Sequence, residues 1–120
     1  MLAVRGIEPH KGMLDVFGGF LDEEETAEEA VARELHEELG ITPQDYSTPQ
    51  ILCTGLGHYP YKGETLPLIS IFFWSHLLVE NFAPADDVAD IHITDIHELN
   101  QSRLHDDDIR VGYQQLLKVL

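Results

Sequence analysis

Four residues on one short stretch, Arg33, Glu34, Glu37 and Glu38, are of the types that build a polar reaction site. Glu34 and Glu38 stand four positions apart, about one turn if the stretch is helical. Two carboxylates on one face suit a hard divalent cation, Mg²⁺ or Mn²⁺, which takes oxygen ligands and leaves room for water and phosphate. Burying the same two acids without a partner would cost several kcal/mol or force protonation. Arg33 and Glu37 have the i, i+4 spacing of a helical ion pair, and Arg33 can equally reach the Gly18-Gly19 segment before it. The competing reading is a pair of edge acids bonded to backbone amides or to arginine, and spacing alone does not separate the two.

The element that must carry these residues is well signalled. Thr26 and Glu29 form a T-x-x-E capping box, Gly40 can close the helix in the left-handed conformation, and Pro43 follows. The spacing therefore predicts a helix over Thr26–Leu39. On a wheel of about 100° per residue with Ala27 at zero, Ala30, Val31 and Leu35 define an inward stripe. Glu34 at about 340° and Glu38 at about 20° fall inside that stripe, Glu37 at about 280° lies on its edge, and Glu28 and Glu29 face away. Gly18-Gly19 reads as a tight turn, or as backbone that approaches a phosphate or offers a carbonyl to the metal.

The rest of the 120-residue chain reads as a small α/β domain with a central sheet and at least two helices. Strands are predicted at Leu2–Arg5, Gln50–His58, Leu66–Val79 and Val88–Thr94, with Leu66–Val79 partly buried on both faces. Gly6–Gly19 reads as loop, Lys62-Gly63 as a turn, and Ile109–Leu120 as an amphipathic helix whose start is favoured by Asp106, Asp107 and Asp108. Tyr59 and Tyr61 flank Pro60 near a loop tip and can stack on a base, whereas Phe72, Phe73 and Trp74 read as core.

The net charge is −15, and nine acids against one base fall between Asp22 and Glu38. Most of them read as solvated surface. Such a balance argues against nucleic acid and acidic membranes as partners. The single cysteine, Cys53, cannot form an intrachain disulfide and reads as an inert core thiol in a reducing, cytoplasmic setting. The longest apolar run, Leu66–Trp74, is far short of a membrane span. The seven histidines include no pair at zinc-ligand spacing on a shared helix and read as structural or surface.

Gly19 to Ile41, GFLDEEETAEEAVARELHEELGI, resembles the Nudix hydrolase signature G-x5-E-x7-R-E-U-x-E-E-x-G-U, where U is a bulky aliphatic residue. Every fixed position matches: Gly19, Glu25, Arg33, Glu34, Leu35, Glu37, Glu38, Gly40 and Ile41. The loop from Arg5 to Phe20 is similar to that of Nudix proteins acting on NADH and ADP-ribose, with Phe17 where many members have proline. The resemblance implies one domain over residues 1–120, an α/β/α sandwich with a mixed central sheet, here without the usual first strand. It implies a Mg²⁺- or Mn²⁺-dependent pyrophosphohydrolase of a nucleoside diphosphate linked to another moiety, of ADP-ribose or NADH type. A nucleoside triphosphate pyrophosphatase, or a nucleotide-binding module with little turnover, is the alternative. By the same resemblance Glu34, Glu38 and Glu37, with the Gly18 carbonyl, hold the metal. Arg33 orients the carboxylates, Glu25 supports the loop, and Gly19, Tyr59 and Tyr61 face substrate. The general base is Glu34, Asp87 or Asp90. The absent first strand leads to the expectation of a homodimer, because an unpaired sheet edge is adhesive.

Overall fold

The computed structural model describes residues 1–120. Five strands and two α-helices follow in the order β1 (Leu2–Arg5), β2 (Leu14–Asp15), α1 (Ala27–Leu39), β3 (Gln50–Tyr61), β4 (Glu64–Trp74), β5 (Val88–His92) and α2 (Asp107–Val119), with a 3₁₀ turn at Gln101–Arg103. The helix expected at Thr26–Leu39 is present with Thr26 as its cap. The Thr26 hydroxyl accepts from Glu29 N at 3.1 Å, and the Glu29 carboxylate accepts from Thr26 N at 3.2 Å. Gly40, at φ 71°, closes the helix in the left-handed region, where glycine carries no Cβ penalty.

The strands form a three-stranded sheet, β2-β1-β5, and a two-stranded one, β3-β4. All their ladders are antiparallel. Parallel pairing enters only through a bridge between Leu14 and Leu104. Strand β1 lies in the middle of its sheet, so the edges are β2, which Leu104 meets through that one bridge, and β5.

Three sequence boundaries move. The segment Gly6–Gly19 is not all loop, because Asp15 and Leu14 pair with Ala3 and Val4 to form β2. Strand β3 runs on to Tyr61, past the expected end at His58, because Lys62 (φ 49°) and Gly63 (φ 80°) make a two-residue turn with both φ values positive. Tyr59 and Tyr61 therefore stand on a strand. Strand β4 stops at Trp74 rather than Val79, where Ser75 and His76 turn to bond Ser47. Its burial is one-sided. Phe72 is buried against Gly112 of α2, while Ile69 and Ile71 are exposed.

Two apolar clusters hold these layers. Leu14, Phe72, Leu104 and Ile109 join β2 and β4 to α2. Leu39, Ile41 and Tyr46 form the second beneath the end of α1, with Phe17 and Leu35 packed against them. Burying a side chain of this size contributes about 1.5–3 kcal/mol. Each cluster also touches the strand-loop segment 14–17, which fixes the Gly-rich turn that follows.

Candidate active site

A cleft of about 480 Å³ opens between β1, the turn after β2, α1 and the start of β5. Arg33, Glu34, Glu37, Glu38, Gly18 and Gly19 all line it, as the signature implies. The helix wheel holds as well. Glu38 is 9% exposed, the Glu34 side chain 13%, and the Glu37 side chain 44%.

Arg33 organises the acids. Its Nε and Nη2 donate to the two carboxylate oxygens of Glu25 at 2.7 and 2.9 Å, a bidentate pair. Its Nη1 reaches Glu34 at 2.9 Å and Glu37 at 3.3 Å, and Nη2 also donates to the Phe20 carbonyl at 3.0 Å. The Arg33 hydrogen bonds hold the Glu25 carboxyl down at about 2. Thus one guanidinium ties α1 to the turn that precedes it.

Glu38 is different. Its Oε2 accepts from Gly18 N at 3.0 Å and has no arginine. Burial, followed by repulsion from Glu34, Asp15 and Asp86, pushes its carboxyl up to about 8. Burial and like charge together favour the neutral acid, and a cation bound beside it would favour the carboxylate instead.

Gly19 lies against Glu34 so closely that an added Cβ would stand 2.3 Å from Glu34 Oε1. The glycine is thus a cradle for the carboxylate rather than a hinge.

The donor set fits Mg²⁺ or Mn²⁺. The cleft offers hard carboxylate oxygens and no imidazole or thiol among its lining residues. Glu34, Glu37 and Glu38 do not all converge on one point. One ion would therefore take one or two of these carboxylates, with water and substrate phosphate completing its shell.

Other assignments divide. Asp87 lines the cleft and Asp90 does not; the Asp90 carboxylate instead bonds Ile91 N at 2.8 Å. Tyr59 reaches the rim through Phe20, whose ring it meets edge-on at 5.0 Å, and Phe20 lines the cleft. Tyr61 is outside, with its ring 5.2 Å from the Lys62 ammonium. Four charged cleft residues were missed from sequence: Arg5, Asp15, Asp22 and Asp86. Arg5 donates to Asp15 at 2.7 Å and to the Pro9 carbonyl at 2.8 Å. Pairing across β1-β2 brings them together, and no local spacing signals it. In all, seven carboxylates and two arginines line the cleft.

The sequence model described as the NUDIX domain matches residues 1–116. The chain belongs to the Nudix family. It is 31% identical over 99 residues to an ADP-ribose pyrophosphatase of Methanocaldococcus jannaschii, an alignment that covers 82% of this chain and 56% of that protein. The chain thus spans little more than half the length of that curated relative. The Nudix fold itself is shared with the NUDIX domain of Shewanella oneidensis NrtR, solved in complex with ADP ribose. That pair has a TM-score of 0.74 at 20% identity, over 99% of this chain and 76% of the other. A NUDIX hydrolase from Nitrosomonas europaea matches with a TM-score of 0.60 at 22% identity, over 96% and 58% of the two chains. In this Nudix chain no helix is long and apolar enough to cross a membrane.

Proposed function

We propose that this Nudix domain is a Mg²⁺- or Mn²⁺-dependent pyrophosphohydrolase that cleaves the diphosphate of a nucleoside diphosphate linked to a sugar-like moiety, of the ADP-ribose type. The observation that carries the reading is Glu38, a buried carboxyl raised to about 8 beside Glu34 in a cleft walled by acids. A bound divalent ion would neutralise these acids, polarise the phosphoryl oxygens and lower the pKa of a bound water. Glu34 and Glu38 would hold it, with Glu37 and the Gly18 carbonyl assisting. Arg33 keeps Glu34 and Glu37 in register with the turn. Asp87, whose carboxylate accepts no hydrogen bond from the protein, is free to take the proton of the attacking water. Gly19, with the Phe20–Tyr59 edge-on pair, borders the space for the nucleoside.

Charge balance favours a diphosphate diester over a nucleoside triphosphate. Both cleft arginines are already bonded to carboxylates, so no uncommitted basic side chain waits for a terminal phosphate. The reading treats residues 1–120 as one Nudix unit working in the cytoplasm. It includes a homodimer formed over the β3-β4 face opposite α2, where the cross-strand pair Leu56 and Ile69 is 60% and 79% exposed.

The test is a nucleotide panel with Mg²⁺, comparing the native chain with Glu38→Gln and reading products made in ¹⁸O water by mass spectrometry. Turnover of ADP-ribose or a related diester, with ¹⁸O in one phosphate product and loss in the variant, supports the reading. A preference for triphosphates would replace the substrate class. Retained ADP-ribose binding without turnover of any compound would make the chain a binding module.

A further inference from the structure

The cleft leaves one cluster of metal-binding side chain types unused. His10 lies in the loop between β1 and β2, and His105 lies just before α2. Although 95 positions apart, their Nδ1 atoms face each other at 3.2 Å, with the ring planes at 57°. The other nitrogen of His105, Nε2, stands 3.2 Å from Asp15 Oδ2. Asp15 Oδ2 is also paired with Arg5 Nη1 at 2.7 Å. A carboxylate paired with arginine accepts, so in a neutral His105 the hydrogen sits on Nε2 and Nδ1 is left as an acceptor. That acceptor looks at His10.

Two observations converge here. Two imidazole nitrogens on one tetrahedral ion, each bonded at 2.0–2.1 Å, lie about 3.3 Å apart, which matches the separation found. A carboxylate behind a histidine is the usual support for a metal-bound imidazole, because it fixes ring and tautomer.

We propose that His10 and His105 form a second cation site, separate from the carboxylate cleft, for a first-row transition metal ion such as Zn²⁺, Ni²⁺ or Cu²⁺. Imidazole nitrogen selects these ions over Mg²⁺, just as the oxygen-lined cleft selects Mg²⁺. No third His, Cys, Asp or Glu completes the group, so water fills the remaining positions and the ion exchanges readily. Bound there, it would tie the β1-β2 loop to the N-terminal end of α2.

The test is calorimetric titration of the full chain with Zn²⁺ in excess Mg²⁺, which saturates the cleft. One equivalent of Zn²⁺ is expected, with ¹⁵N shifts of imidazole signals confined to His10 and His105. His10→Ala and His105→Ala should each weaken uptake at least 10-fold, and Glu38→Gln should leave it unchanged. His10 is exposed, so its truncation opens no core. The proposal is overturned by the absence of Zn²⁺ uptake, by uptake that survives His10→Ala, or by uptake lost in Glu38→Gln. The first of these results would reduce the pair to a hydrogen bond between two rings.

Discussion

The backbone N–H of Gly18 donates to Oε2 of Glu38 at 3.0 Å, so the Gly-rich turn and the last turn of α1 share one polar contact. It is the only hydrogen bond Glu38's side chain makes within the protein, and one N–H does not offset a buried negative charge. Replacing Glu38 by glutamine keeps the acceptor and removes the charge. Glu38→Gln should fold with a melting temperature at pH 8 no lower than that of the native metal-free chain. Its Mg²⁺-dependent turnover should fall by about 100-fold or more, the scale of losing one preorganised electrostatic contact. Parallel melts and initial rates check both halves.

The same carboxyl sets a pH dependence. Its folded value, about 8, lies above the ordinary 4.5, so the folded metal-free chain binds this proton more tightly than the unfolded chain. Stability from this group is therefore full below about 4.5, declines as pH rises, and is lost above about 8. Mg²⁺ competes with the proton, so its stabilising effect should grow in the same direction. Thermal melts at pH 6 and pH 8.5, with and without Mg²⁺, should show the larger metal-induced rise at pH 8.5.

Gly19→Ala tests the cradle. The new Cβ would stand 2.3 Å from Glu34 Oε1 and 2.8 Å from its Cδ, so the carboxylate must swing away. A flexible side-chain end yields cheaply, and the fold should survive. Turnover should drop by about 10- to 100-fold, the loss that follows when a metal ligand's support is disturbed. Circular dichroism with Mg²⁺ titration of the rate separates the two effects.

Arg33→Lys should also keep the fold yet lose most activity. Lysine is a point donor and cannot hold Glu25 bidentately while also serving Glu34 and the Phe20 carbonyl. The expected fall in kcat is about 10- to 100-fold, with lysine no better than glutamine at this position, which steady-state kinetics would show.

Gly57→Ala is a contrast away from the cleft. Gly57 of β3 lies under the start of α2, where an added Cβ would stand 2.9 Å from Asp108 Oδ2. Asp108 is buried and accepts from Ser70 Oγ at 2.5 Å, so it has little room to move. Denaturant melts should show destabilisation of about 1–3 kcal/mol from overpacking, with the Mg²⁺ dependence of any activity unchanged.

The helix and its inward acids were legible in the sequence because both rest on local spacing. Thr26, Glu29 and Gly40 mark the ends, and the 3.6-residue period places Glu34 and Glu38. The capping box and the left-handed Gly40 appear where that pattern puts them. Arg5, Asp15 and Asp86 were not legible, because strand pairing and the approach to β5 bring them to the cleft from distant positions. The boundary of β4 was misjudged for a related reason. An apolar run from Leu66 to Val79 records composition, whereas the strand ends where Ser47 captures Ser75 and His76. Likewise His10 and His105 look scattered until the fold sets them side by side.

The seven carboxylates around the cleft, on a chain of net charge −15, also govern how a ligand arrives. A free phosphate-bearing molecule drifting toward the empty cleft meets a repulsive field before it meets any binding group. A cleft of sign opposite to its ligand draws that ligand in, and capture slows as salt screens the attraction. Here the order inverts. Capture of an uncomplexed nucleotide should quicken as ionic strength shortens the screening length, about 8 Å at physiological salt. Under the proposed function, a nucleotide already carrying its magnesium would approach with part of its charge cancelled, so the acidic mouth would discriminate by complexation state before the cleft's inner groups are reached.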